Sequence, residues 1–381
     1  MRISIVQNYA KRLHVKYKLS LPVDLDRLAK KYATLTYTSI PFRIDGVSAD
    51  LKVTGKRPRI FVNADMPKKR QRFTLAHEIG HVVIPWHTGT IFDSTMISES
   101  ACTIDYWVME QEANAFATEL LMPTDWINGL VEENEDTISS LHRKIVKTAD
   151  VSYIAACLRL IQFLPNGYVF VAVDHSGKVQ YSGKSKGTIA SPLSRGEILD
   201  LDNHYTYSVS KSFFETKSGI YYWFQLPTDM ELPNADGSCD WQTVLKSILH
   251  DLEFDSSVKT KMTQQLNGVL GFANSLVKRN DLSKEGLYSA CIQRLEGKHS
   301  LAPLTHHPDF PKFLSAKIND LIEKKLIKIV FITKCLSAVG CNEIAPLLLF
   351  LIACSIAALQ MVQCAALIAP YVSSSIRWGG G

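Results

Sequence analysis

The stretch "RFTLAHEIGHVVIPWH", residues 72–87, places two histidines one helical turn apart. Asp65 and Pro67 precede it, and both residue types are common where a helix begins. At about 100° per residue, the side chains of His77 and His81 point within ~40° of each other. The stretch therefore predicts a helix that brings two imidazoles to one point, as a tetrahedral zinc site requires.

Glu78 directly follows the first of these histidines. On the predicted helix its carboxylate projects beside the imidazoles, where it can take a proton from an attacking water and pass it to a leaving amine. The H-E-x-x-H pattern is a signature of metalloproteases. Glu78 is therefore the candidate general base, and His77 and His81 are candidate Zn²⁺ ligands. His87 lies beyond Pro85 and off the ligand face, so it is excluded from the metal set.

A third ligand is expected from "MEQEANAFATELLMP", residues 109–123. A helical wheel places Glu110 on the apolar face, whereas Glu112 and Glu119 fall on the opposite face and are predicted to point away from the core. A buried carboxylate needs a partner, and a metal ion would supply one. Glu110 is thus the candidate third ligand. Asn114, four residues later on the same face, is the candidate to hold the free N–H of a ligating histidine.

The two motifs "RQRFTLAHEIGHVV" and "EQEANAFATELLMP" resemble those of the ImmA/IrrE family of metallo-endopeptidases. The resemblance extends from Leu21 to Phe163, with "LPVDLDRLAKKY" upstream and "VSYIAACLRL" downstream. It implies a zincin-like domain that acts inside the cell on a regulatory protein. In this family the substrate is often a helix-turn-helix repressor of a phage or mobile element.

The resemblance also implies roles for individual residues. Two histidines and a glutamate of the second motif bind zinc, and the glutamate of the first motif is the general base. Carried onto this chain, the ligands are His77, His81 and Glu110, and the base is Glu78. Glu112 stands two residues further along the second motif and is the alternative third ligand.

Two β-rich runs upstream of the histidines suggest how a substrate binds. "VSADLKV" and "RPRIFVNA" are separated by "TGK", a pattern that predicts a hairpin. We expect a substrate strand to add to the edge formed by "RPRIFVNA" through main-chain pairing. Tyr106 is a candidate to stabilise the oxyanion.

The residue pattern changes along the chain between helical, β-rich and apolar stretches, and it predicts an α+β protein with four regions. Residues 1–163 form the zincin-like helical peptidase domain with a small sheet, and residues 164–232 form a β-rich region of unassigned role. Residues 233–325 are helical, and residues 326–381 form an apolar tail. Within the tail, residues 347–369 carry no charge and are long enough to span a membrane, which takes ~20 residues.

Composition limits the partners and the compartment. The formal net charge of +5, from 42 basic and 37 acidic residues, is mild, and the basic residues are dispersed. No direct nucleic-acid binding is therefore expected. The eight cysteines show no paired spacing, and the first twenty residues lack the apolar core of a secretion signal. We predict a cytoplasmic protein. If the tail spans a membrane, lysines upstream of it would keep the peptidase on the cytoplasmic side.

A second interpretation of the sequence is a metal-stabilised binding or sensor protein without catalytic turnover, held at a membrane by its tail. The presence of Glu78 beside the ligands argues against it, because a purely structural metal site needs no base there.

Overall fold

The computed structural model describes residues 2–40, 44–94, 104–233, 240–279, 283–296 and 298–338. Its contacts divide the chain into two compact units, Met1–Thr228 and Asp229–Gly381. The predicted combination of small sheets and many helices is confirmed.

The first unit begins with helices and a small sheet that together hold the two motif-bearing helices. Its helices are α1 (Ile3–Tyr17), α2 (Leu25–Tyr32), α3 (Lys68–Val83), α4 (Ile104–Leu121), α5 (Thr124–Glu132), α6 (Ile138–Ala149) and α7 (Tyr153–Leu160). Its strands are β1 (Thr34–Thr38), β2 (Ile44–Leu51), β3 (Arg59–Asn63), β4 (Gly89–Ser94), β5 (Tyr168–Val173), β6 (Val179–Lys184), β7 (Ser210–Thr216) and β8 (Gly219–Gln225).

The sheet beside the motif helices has the strand order β1-β3-β2-β4. The predicted hairpin is confirmed, since β2 and β3 pair antiparallel with Val47 opposite Phe61. The prediction that "RPRIFVNA" forms an edge is wrong. β1 pairs with the other side of β3 in parallel, with Thr34 opposite Arg59, so β3 is internal. The alternating "TLTYT" of β1 is a strand signal that the sequence interpretation missed.

Helix α3 is buried over most of its length because it packs against β2, β3 and α4. Pro67 stands at its N-cap position, as predicted. Gly80 allows α4 to approach closely, since a Cβ at this position would lie 3.0 Å from Cδ1 of Phe116. This packing brings the middle of α3, with its two histidines, against the middle of α4.

Helix α4 corrects the wheel-based prediction for two glutamates. Glu112 and Glu119 do not point away from the core, because their exposed fractions are 1% and 0%. The helical wheel assumed that α4 has one buried face. In the structure α4 packs against α1 as well as α3, so two of its faces are buried. Glu119 forms an ion pair with buried Arg159 at 2.7 Å, and Glu112 accepts hydrogen bonds near the metal ligands.

A second antiparallel sheet, of order β6-β5-β8-β7, follows in the predicted β-rich region. One of its faces joins the core of the motif helices through Phe170, Phe214 and Trp223. His142 of α6 lies against that face, where its Nδ1 accepts a hydrogen bond of 3.3 Å from Trp223 Nε1. The other face is covered by side chains from the segment between β6 and β7, among them Tyr205.

The second unit is helical over its described residues, as the sequence predicted for this stretch. Its α-helices are α8 (Trp241–Asp251), α9 (Ser256–Arg279), α10 (Lys284–Leu295), α11 (Ala302–Thr305) and α12 (Phe310–Ala338). No helix among the described residues combines the length and apolar content needed to cross a membrane. The predicted span at residues 347–369 lies outside the described residues.

Candidate metal centre

The two histidines of α3 and one glutamate of α4 meet as the sequence predicted. The Nε2 atoms of His77 and His81 lie 2.9 Å apart. Glu110 places Oε2 at 3.2 Å from His77 Nε2 and Oε1 at 3.4 Å from His81 Nε2. Both histidines are buried, whereas Glu110 keeps 16% of its side chain exposed. Within the described residues, these three side chains form the cluster able to hold a metal ion.

The spacing of this cluster fits a tetrahedral ion. Bonds of about 2.0–2.1 Å to nitrogen and oxygen separate neighbouring ligand atoms by about 3.3 Å. The two Nε2 atoms lie 2.9 Å apart, and their separations from the two Glu110 oxygens, 3.2 Å to Oε2 and 3.4 Å to Oε1, are close to this value. In addition, Glu110 Oε1 is buried and accepts no hydrogen bond from the described part of the chain. The residues therefore fit a zinc ion held by His77, His81 and Glu110.

The ionisation of the cluster also suits a cation. Burial lowers the pKa of His81 to about 3, so its imidazole is neutral at pH 7. Burial raises the pKa of Glu110, but its contacts with His77 and His81 outweigh burial and lower it to about 2. The neutral imidazole of His81 and the carboxylate of Glu110 therefore face a common point, and neutral imidazole is the form that ligates a metal.

Asn114 lies where the sequence placed it, behind His77. Its Oδ1 is 3.0 Å from His77 Nδ1, on the side of the ring away from the cluster. Oδ1 accepts a hydrogen bond from His77 Nδ1–H, and the lone pair of Nε2 is then directed at the ligand cluster. One turn of α4 separates Asn114 from Glu110, so a single helix supplies both a ligand and the support for another.

Glu78, the predicted base, is buried beside the ligands and contacts β2. Ser48 Oγ donates a hydrogen bond to Glu78 Oε2. Gly46 leaves room for the same carboxylate, since a Cβ there would lie 2.5 Å from Glu78 Oε1 and 2.6 Å from Thr74 Cγ2. The sequence interpretation missed both β2 residues, because their contact with α3 depends on how the sheet packs on the helix.

A second group of buried side chains lies on the far side of His81. His87 Nδ1 is 2.9 Å from His81 Nδ1, and His87 Nε2 is 3.3 Å from Glu112 Oε2. Trp86 Nε1 donates to Glu112 Oε2 at 2.6 Å, and the main-chain N–H of Arg2 donates to Oε1 at 2.8 Å. His87 is thus outside the ligand set, as predicted. Glu112, the alternative ligand, contacts His87 instead of joining the cluster.

Tyr106, the candidate oxyanion stabiliser, lies one turn before Glu110 on α4. Its hydroxyl donates a hydrogen bond to the main-chain oxygen of Phe92 in β4. This bond joins the start of α4 to the edge strand, and the catalytic role of Tyr106 remains a prediction.

Two histidines of an H-E-x-x-H helix, a glutamate from a second helix and a buried glutamate beside them make up the residue set of a metallopeptidase site. Residues 37–161 match the family model described as Peptidase_M78, IrrE N-terminal-like domain. This match confirms the resemblance of that segment to the ImmA/IrrE family, and metallopeptidase is the class of protein that it indicates.

One similar chain among the solved structures is a Mycobacterium tuberculosis transcriptional regulator. It shares 12% sequence identity, with coverage of 57% of this chain and 86% of that chain, at a TM-score of 0.35. A TM-score of this size does not establish a common fold. The comparison with curated proteins gives no match.

Proposed function

We propose that the protein is a zinc-dependent endopeptidase that cleaves an intracellular regulatory protein, with a helix-turn-helix repressor of a phage or mobile element as the substrate class. The observation that supports this most directly is the cluster of His77, His81 and Glu110, with Glu78 buried directly after His77 on the same helix. The family of residues 37–161 supports the metallopeptidase chemistry. The substrate class comes from the family resemblance alone.

The proposed roles follow from the chemistry of each side chain. Zinc, when bound by His77, His81 and Glu110, polarises a carbonyl and lowers the pKa of water. Glu78 takes a proton from the attacking water and delivers it to the leaving amine. Ser48 holds Glu78 Oε2 from the sheet side. The backbone of Gly46 lies so close to that carboxylate that its position is restricted further.

The substrate strand needs a free sheet edge. Because β3 is internal, the available edges of this sheet among the described residues are β1 and β4. β4 pairs with β2, the strand that carries Gly46 and Ser48 against the base. We assign substrate pairing to β4, where a peptide would add the next strand by main-chain hydrogen bonds.

Cleavage of a candidate repressor by the purified, zinc-loaded chain tests this function. Parent protein and the Glu78→Gln variant are incubated with a repressor encoded beside the gene, and fragments are identified by mass spectrometry. The parent should cleave at one site. Glu78→Gln should bind zinc equally well and show no cleavage, since an amide cannot accept the proton. Unchanged proteolysis by Glu78→Gln would remove Glu78 from the mechanism. Tight zinc binding without cleavage of any such protein would instead favour the non-catalytic interpretation.

A further inference from the structure

We propose that Glu112, acting through His87, fixes the tautomer and orientation of the metal ligand His81 and so sets the affinity of the site for zinc. This inference rests on the proposed zinc site, but it does not depend on proteolysis. Glu112 and His87 are positioning residues here, because neither would bind the zinc ion itself: His87 contacts the ligand His81, and Glu112 contacts His87.

The proposed connection is a continuous row of polar contacts through the interior. It runs from Glu112 Oε2 to His87 Nε2 over 3.3 Å, and from His87 Nδ1 to His81 Nδ1 over 2.9 Å. The opposite nitrogen of His81, Nε2, faces His77 and Glu110. Water does not compete for these contacts, because at most 1% of the surface is exposed in each of Glu112, His87 and His81.

The protons along this row have one consistent arrangement. A carboxylate only accepts, so His87 Nε2 must carry the hydrogen that faces Glu112. A neutral imidazole carries one N–H, and His87 Nδ1 is then an acceptor. It accepts a hydrogen bond from His81 Nδ1–H, so the lone pair of His81 Nε2 is directed at the cluster, as zinc binding by His81 requires. The negative charge of Glu112 thus determines the tautomers of two successive imidazoles.

The charge at the start of the row is held in place by three donors. Trp86 Nε1 and the main-chain N–H of Arg2 donate hydrogen bonds to the carboxylate of Glu112, and His87 Nε2 lies 3.3 Å from its Oε2. The guanidinium of Arg2 also lies 4.5 Å from the ring centroid of Trp86. Glu112 therefore has partners from α1 and from the loop after α3, which restrict its rotation and keep Oε2 directed at His87.

The two metal ligands of α3 are consequently supported in different ways. His77 is held by the neutral amide of Asn114, whereas His81 is held by a row that ends in a charge. An anionic partner makes a ligating imidazole a stronger donor, and loss of such outer partners commonly weakens metal binding by about 10–100-fold. Most of the orientation and basicity of His81 should therefore come from Glu112 and His87.

Zinc affinity, measured by competition with a chromophoric chelator at fixed pH, tests the proposal. Glu112→Gln removes the charge, and His87→Phe removes the connection while keeping an aromatic ring. Each should weaken zinc binding by about 10–100-fold. The double variant should be no weaker than His87→Phe alone, because Glu112 acts only through His87. Glu119→Gln is the matched control, since Glu119 is equally buried on the same helix but contacts Arg159 and Thr124. It should bind zinc like the parent.

The tautomers give a second readout that is independent of affinity and of cleavage. With ¹⁵N-labelled histidine in the zinc-loaded protein, His81 should show a protonated Nδ1 and His87 a protonated Nε2. Glu112→Gln should shift the His87 signals toward a tautomer mixture, and Glu119→Gln should not. The proposal is overturned if Glu112→Gln and His87→Phe, both folded by circular dichroism, bind zinc within about threefold of the parent. It is also overturned if Glu119→Gln loses as much affinity. Tight zinc binding without cleavage would contradict the proposed function and leave this inference intact.

Discussion

Ser48 and Glu78 stand 30 residues apart in the sequence, and the hydroxyl of the first donates a hydrogen bond to the carboxylate of the second. Ser48 belongs to β2 and Glu78 to α3, so the contact joins the sheet to the helix that carries the candidate metal ligands. The bond orients the proposed base, and several consequences of this arrangement can be measured.

Loss of the Ser48 hydroxyl should slow cleavage without weakening zinc binding. A hydrogen bond to a charged group contributes about 1.5–3 kcal/mol, so Ser48→Ala should lower kcat by roughly tenfold or more. KM should change little, because Ser48 contacts Glu78 and does not belong to β4, the edge strand to which we assign substrate pairing. Ser48→Thr keeps the hydroxyl and should retain most of the activity. Equal loss in both variants would show that volume at this position matters, and not the hydrogen bond.

An added methyl group at Gly46 should displace Glu78. The Cβ would lie 2.5 Å from Glu78 Oε1, closer than such atoms approach, so the carboxylate must move. Gly46→Ala should therefore lower kcat by at least tenfold, while the zinc affinity of His77, His81 and Glu110 stays near that of the parent. Steady-state kinetics and chelator competition measure the two effects.

Gly129 provides the control for Gly46. It lies within α5, and a Cβ there would meet no atom within 4 Å. Gly129→Ala should leave cleavage unchanged and stabilise the fold by about 0.5–1 kcal/mol, because alanine is the better helix former. Full activity in Gly46→Ala would mean that Glu78 works from a different position.

Zinc should stabilise the folded chain through the predicted ligands. A ligand that binds only the native state at one hundred times its Kd adds about 2.7 kcal/mol to the free energy of unfolding. Calorimetry should show this increase for the parent and lose it in His81→Ala and after chelation. Mg²⁺, which prefers oxygen ligands, should not replace zinc. The same zinc-dependent increase in His81→Ala would place the bound ion elsewhere.

His142 should make the first unit less stable as the pH falls below neutral. Burial lowers its pKa from 6.5 to about 4. The unfolded chain therefore binds a proton at a pH where the folded chain does not, and stability is lost as the pH decreases through this window. Between pH 7 and pH 5 the loss attributable to His142 should be about 2 kcal/mol.

Urea unfolding of His142→Gln, followed by tryptophan fluorescence at both pH values, tests this assignment. The variant is expected to be less stable at pH 7, since Trp223 Nε1 and the Tyr153 carbonyl lose their partner. Its stability should, however, fall less between pH 7 and pH 5 than that of the parent. His175→Gln, at an exposed site, should behave like the parent. An identical pH dependence in parent and His142→Gln would assign the effect to other groups.

Local periodicity identified the candidate ligands that the structure brings together. Residues four apart on one helix share a face, so His77 with His81 and Glu110 with Asn114 could be paired before any tertiary structure was known. Short-range sequence signals also predicted the start of α3 and the β2–β3 hairpin, since both depend on residues that are neighbours in the sequence.

Tertiary packing decided the strand order of the sheet and the burial of two glutamates, neither of which follows from the periodicity of the sequence. Strand β1 pairs with β3 from a distant part of the chain, which makes β3 internal and leaves β1 and β4 as the edges of this sheet among the described residues. Helix α4 is covered by two other helices, so Glu112 and Glu119 are buried on the face that a single apolar arc assigned to solvent. The sequence by itself therefore determined which side chains could bind a metal, because a helix repeats every 3.6 residues. Only the packing of α1, α3 and α4 brought Glu112 and His87 behind His81, because long-range contacts depend on how helices meet and not on their period.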